Sequence, residues 1–389
     1  MNTVNKYFEK LLIEGSEEFE LIFRSLLKDY DEDKYYLLEE TDVFSEPMLC
    51  SFFNSNIILP IDQIITGYHS ATNNKINVQS NSKGIVHLPK IGYFYTNIAN
   101  EDLVLSYLGD DNYNIYFNDV EIDNVCLKKE MYVNDSEIEI CISENPSISQ
   151  FFKDQHEDIK VEESARKSID LINSAFSLIK EHADFFHEWL CYTLKRIMIF
   201  ESTQRNSFAS IFTLNSAYIN IKDEIISKIF FLEEITHQCG HAIFYPISID
   251  RQSFFNYDFN TPMSFFSGIE NDDRDVLNAF YSFFPQYYGN YIFDMVLDNG
   301  ELTLDEKEEL IGRFAFRMLK FGNGIAQFDE YGEKIFSEEG HKMFKIFKKG
   351  YFDLYNKRKQ LFDSKDISGQ NYVFDIVTYK KKNSGKSTV

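Results

Sequence analysis

Apolar positions recur at helical spacing from the start of the chain, at Leu11, Leu12, Phe19, Leu21, Ile22, Leu26 and Leu27. They predict a helix followed by an acidic connection over residues 1 to about 45. Over residues 50–145 the pattern changes to short alternating or β-branched stretches, IVHLPKIGYFYT, YNIYFNDVEI and SEIEICIS. Between them lie SNSKG, LGDDN and VND, whose Gly, Asn and Asp favour turns. A small, mostly antiparallel β region is expected there. After the linker NPSISQFFKDQHEDIKVEE, helical spacing returns over 162–200 through Ile169, Leu171, Ile172, Phe176, Ile179, Phe186, Leu190, Leu194, Ile197 and Met198. Residues 207–221 read as strand, turn and strand. A helix is expected from about Asp223 to Phe244, stopped by Pro246. A loop rich in Phe, Asn and Asp covers 250–272, and helices follow from about Asp273 to Asp298, Thr303 to Phe321 and Gly332 to Phe362. The fold class is α+β, a mostly antiparallel N-terminal β region before a predominantly α-helical C-terminal domain. The expected divisions are 1–150, an α/β region able to bind peptide, 155–365, the helical domain carrying the chemistry, and 366–389, a tail partly disordered.

The chemistry gathers in FFLEEITHQCGHAIFYP. His237 and His241 are four apart, so a helix places both on one face, one turn on, where two imidazoles can share an ion. A core pair bonded to carbonyls, or a solvated face, are the other readings of this spacing. Glu233 and Glu234 lie one turn earlier and can orient the imidazoles. Gly240 costs roughly 1 kcal/mol against Ala inside a helix, so a strand or a ligand is expected to approach it closely. Cys239 points to the opposite side and is expected to be buried. Gln238 follows the first His, where H-E-x-x-H peptidases carry the Glu that takes a proton from metal-bound water. Its amide is not a base, so a peptidase is not expected. A zinc hydrolase would need a displaced base such as Glu234. Either the metal is structural or the reaction dispenses with that base, as oxygen activation at Fe(II) does.

The segment 205–290 resembles the H-E-x-x-H-type, 2-oxoglutarate-dependent peptide β-hydroxylases that act on ribosomally made peptides. The resemblance rests on NSFASIFTLNSAYIN before the motif helix, on the helix itself and on DDRDVLNAFYSFFPQYYGNY after it. It implies Fe(II), 2-oxoglutarate and a precursor peptide hydroxylated at a side-chain β-carbon; Zn is the alternative metal, and partner biosynthetic enzymes are the other expected partners. Gln238 departs from the family's Glu. The family's third ligand, a downstream His, has no counterpart between His241 and His341. Tyr281 aligns with it, and Glu270, Asp272, Asp273 and His341 are the alternatives. The 2-oxoacid carboxylate calls for an arginine fork. Arg274 is the first choice, and Arg313 and Arg317 follow. A relative without metal, binding a peptide or a partner enzyme, is the competing expectation.

Composition narrows the partners. The net charge of −23 disfavours nucleic acid and suits a basic peptide, which could add as a strand to an exposed sheet edge of the β region. Five cysteines without a C-x-x-C pair suggest free thiols in a reducing compartment. The polar, acidic start lacks the features of a signal peptide, and no run of about 18 apolar residues predicts a membrane span. A cytoplasmic location is expected. The GNG of KFGNGIA has neither a preceding strand nor a Lys-Ser/Thr ending, so no phosphate loop is expected. His182 and His187, five apart, read as ordinary helix residues.

Overall fold

The helical spacing of the first thirty residues is realised as α1 (Asn2–Tyr30), and Asp31 caps α2 (Glu32–Leu38) by accepting from the Lys34 amide. The computed structural model describes residues 2–55, 59–69, 75–109, 112–144, 146–152, 157–268, 272 and 274–384. Two short helices, α3 (Pro47–Asn54) and α4 (Ile61–Ile65), occupy the start of the stretch expected to be β. Pro47 in the first turn and the Glu46 carboxylate, 2.9 Å from the Met48 amide, initiate α3.

Among the described residues nine strands follow: β1 (Lys75–Gln79), β2 (Ile85–Leu88), β3 (Gly92–Tyr95), β4 (Asp102–Gly109), β5 (Asn112–Phe117), β6 (Val120–Glu121), β7 (Cys126–Lys128), β8 (Met131–Tyr132) and β9 (Glu139–Ile140). One antiparallel sheet has the order β1-β4-β5-β6 and another β2-β3-β7. Val78, Leu103, Leu105 and Ile115 of the first share a core with Val86, Leu88 and Phe94 of the second. The alternation that sends every second side chain to one face puts them there.

Helices α5 (Val161–His182) and α6 (Asp184–Thr193) fill most of 162–200, but Ile197 and Met198 are not helical. They belong to β10 (Arg196–Phe200), which is buried at all five positions. With β11 (Phe208–Ala209) and β12 (Ser216–Asn220) it forms the sheet β11-β12-β10-β9-β8, in which β10 runs parallel to both β9 and β12. A run apolar on both faces is the mark of a central parallel strand. Read as the end of an amphipathic helix, it misleads.

The remaining helices are α7 (Lys228–Glu234), α8 (Gly240–Ile247), α9 (Ser264–Ser267), α10 (Val276–Tyr281), α11 (Phe283–Asn299), α12 (Leu304–Ile335), α13 (Glu338–Asp363) and α14 (Ile376–Asn383). Thr303 and Glu306 close a capping box at the start of α12. Helix α11 packs on α8, α12 and α13. Helix α14 lies in the segment expected to be a tail, and its Tyr379 is buried with Phe316, Phe374 and Ile376. Their apolar area anchors it.

The fold is α+β, and the chain divides into two units. The β-rich unit holds residues 14–173 and 191–224, and the helical unit holds 1–13, 174–190 and 225–389. The division does not follow a cut at 150–155. Phe8, near the start of the chain, packs against Phe284, Tyr288 and Phe347 of the helical unit. Among the described residues no helix is long and apolar enough to cross a membrane.

Candidate metal centre

Ser227 starts the motif helix. Its hydroxyl accepts from the Phe230 amide at 2.9 Å and donates to Glu309. The helix is not uniform as far as Phe244. Ile235–Cys239 forms a π-helical turn between α7 and α8, and the helix runs through Pro246 to Ile247. Such turns widen the helix by one residue and are frequent at functional sites. The Thr236 hydroxyl supports this one by donating to the Leu232 carbonyl at 2.8 Å. Across it the His237 and His241 rings stand perpendicular, 4.9 Å between centroids. Burial, then the charges of His241, Arg317 and Lys320, hold His237 well below the usual imidazole range. Burial and Arg317 push His241 down to about 4. Both rings are therefore neutral at pH 7, the state a metal ligand requires.

A charged network lies beside the pair. Glu233 accepts from Arg313 at 2.7 Å and lies 3.8 Å from Arg317. Arg313 also reaches Glu309 at 2.8 Å. Arg317 is buried, donates through Nη2 to the Pro285 carbonyl at 2.9 Å, and keeps a buried Nε with no partner among the described residues. Gln238 is buried and turns its amide back to Glu234 at 3.3 Å. The element that approaches Gly240 closely is a helix, not a strand. A Cβ there would lie 2.9 Å from the Cβ of Pro285 on α11, so close helix packing is what it serves. Cys239 is buried, and burial pushes its thiol far up, which makes it unreactive.

The other expected participants lie elsewhere. Tyr281, aligned as third ligand, does not reach the pair. Its hydroxyl accepts from Ser248 at 2.8 Å, and Ser248 lies about two helical turns beyond His241. Its ring packs on Phe244 and Tyr245. Arg274, first choice for the 2-oxoacid, is engaged at 2.8 and 3.0 Å with Asp272 and at 3.2 Å with Gln327. Arg317 instead is the arginine whose charge reaches both imidazoles. His341 packs on Phe336. Glu270 and Asp273 lie outside the described residues. Among the described residues no His, Cys, Asp or Glu joins the pair as a third donor.

One three-donor group does exist among the described residues, and sequence reasoning missed it: His87, Glu130 and Glu139, in the β-rich unit. A signal was available. His87 is the polar member of a strand buried at every position, and Arg196 opens another. Buried polar groups of this kind require partners. No protein-family model matches the chain, and no curated protein matches it.

Proposed function

We propose that the helical unit is a peptide-modifying non-haem iron oxygenase. His237 and His241 hold Fe(II), Arg317 receives 2-oxoglutarate, and O2 is used to hydroxylate a side chain of a ribosomally made precursor peptide. The observation that carries this reading is a pair of neutral imidazoles facing one another beside a buried guanidinium with an unengaged donor. The two rings fit two positions of a three-donor iron site. Bound iron supplies the redox chemistry. The residues of the chain bind and orient. The π-helical turn sets the spacing of the rings, Glu233 and the Pro285 carbonyl fix Arg317, and Gln238 leaves no base for hydrolysis at the position peptidases use. Zn2+ would suit the same pair. The five free cysteines suit a reducing cytoplasm, and the net charge of −23 suits a basic peptide over nucleic acid.

The lack of a third His, Cys, Asp or Glu donor among the described residues favours a second reading, a metal-free relative that binds a precursor peptide or a partner biosynthetic enzyme. One experiment separates them. Anaerobically purified protein is loaded with Fe(II), its iron measured, and 2-oxoglutarate added while the visible charge-transfer band of the chelate is recorded. One iron per chain, lost in His237→Ala and His241→Ala, with a band lost in Arg317→Ala and kept in Arg274→Ala, supports the oxygenase. Protein that takes up no iron, or iron that raises no band, overturns it.

A further inference from the structure

The β-rich unit brings three donors together from separate elements: His87 from β2, Glu130 from the segment between β7 and β8, and Glu139 from β9. His87 Nε2 lies 3.5 Å from Glu130 Oε1 and 3.6 Å from Glu139 Oε1. These separations exceed an ordinary N–H···O hydrogen bond. Two donors bound at about 2.0–2.1 Å and a tetrahedral angle to one ion stand roughly 3.4 Å apart. His87 is 3% exposed, and both of its ring nitrogens are buried without a hydrogen-bond partner among the described residues. We propose that His87, Glu130 and Glu139 form a Zn2+ site, separate from the His237–His241 pair, with its open coordination position facing the adjoining cavity.

The surroundings are those of a built site. The His87 ring is stacked on Tyr93, centroids 4.2 Å apart and planes at 6°, which fixes its direction. Tyr93 donates to Glu139 Oε1, the oxygen nearest His87. The Glu130 carboxylate accepts from the Lys90 amide at 2.8 Å and from the Tyr132 hydroxyl. Supporting hydrogen bonds of this type hold metal ligands in place. Charge points the same way. Glu46 and Glu139 are 1% and 3% exposed, and both are taken by one buried cation, Arg196. The Lys90 and Lys195 ammoniums, which border the same cavity, are paired with Asp42 at 2.7 and 3.6 Å. Three buried carboxylates thus face one guanidinium, an excess that a divalent ion neutralises. Glu130 and Glu139 line a cavity of about 370 Å³ with Glu46, Tyr68, Tyr132 and Arg196. Three protein ligands beside a cavity match catalytic zinc sites, whose fourth position is left to water or substrate, whereas structural sites are closed by four protein ligands.

The test uses the full chain carrying His237→Ala and His241→Ala, so that zinc uptake reports this site alone. Calorimetric titration with ZnCl2 and metal analysis are expected to give one zinc per chain. Adding His87→Gln or Glu130→Gln should weaken it by more than the roughly 10–100-fold that follows loss of a supporting hydrogen bond. X-ray absorption at the zinc edge should give one imidazole and otherwise oxygen donors at about 2.0–2.1 Å, a readout that stands even if His87→Gln fails to fold. Absence of zinc uptake in the His237→Ala/His241→Ala protein, unchanged affinity in Glu130→Gln, or a coordination shell without imidazole each overturns the proposal.

Discussion

Arg317 donates to the carbonyl oxygen of Pro285 at 2.9 Å, and the ring of the same proline lies against Gly240, the residue before His241. One residue of α11 thus fixes the guanidinium and sets how near the motif helix can come. Gly240→Ala puts two effects in opposition. Helix propensity gains about 1 kcal/mol, and a Cβ 2.9 Å from the Cβ of Pro285 forces a shift costing about 1–3 kcal/mol. A rigid proline cannot swing aside, so a lower thermal midpoint is expected. A raised midpoint would show that the helices separate freely.

Gly289→Ala tests the guanidinium directly. The added Cβ would lie 2.1 Å from Arg317 Nη2 and 3.1 Å from Thr236 Oγ1. Arg317 must move, and its bond to Pro285 stretches or breaks, a loss of about 1–3 kcal/mol. If Arg317 receives 2-oxoglutarate, the Kd for that acid should rise about tenfold or more, the equivalent of about 1.4 kcal/mol, while iron content stays at the wild-type level. Unchanged 2-oxoglutarate binding would dissociate Arg317 from the cofactor.

Tyr281→Phe separates a packing tyrosine from a ligand. The change removes one partner of the Ser248 hydroxyl, which keeps the Phe244 carbonyl at 2.6 Å, and stability should fall by about 0.5–1.5 kcal/mol in denaturant titration. Iron uptake should not change, because the phenol ends at Ser248. Loss of iron in this variant would return Tyr281 to the coordination shell.

Asp272 and Arg274 give a pH-dependent prediction. The paired N–H bonds of Arg274, followed by that of Gln327, hold the Asp272 carboxyl below its usual range. A carboxyl with a depressed folded-state value contributes stability above the unfolded value of about 3.9. The contribution disappears as pH falls through the folded value. Arg274→Ala should therefore cost up to about 1 kcal/mol near pH 6, since the arginine is more than half exposed. The difference from wild type should vanish in acid unfolding below about pH 3. A constant difference at every pH would assign the effect to packing.

Legibility in the sequence followed the range of the interactions. Thr303 and Glu306 announce the start of α12 because a capping box is complete within four residues. The β-branched and aromatic residues of IVHL and GYFY, with PKI between them, announce β2 and β3 because strand propensity and turn residues are local signals. RIMIF misled, since only the neighbours β9 and β12 show that both its faces are covered. The π-helical turn left no composition signal. Spacing brought His237 to His241 because one helix carries both. His87, Glu130 and Glu139 sit on three separate elements, and no pattern in one dimension records that they converge. The arginine best placed toward the imidazoles was likewise decided by the docking of α12, which put Arg317 ahead of Arg274.

The packing of Phe8 sets a timetable for biosynthesis. Its ring partners Phe284, Tyr288 and Phe347 emerge from the ribosome only after most of the chain has been made. At roughly 5–20 residues per second, the segment that carries Phe8 waits tens of seconds for its apolar socket. An unpaired phenylalanine in a nascent chain is a natural handle for chaperones, and a gene cut to begin downstream of it would leave that socket open to water.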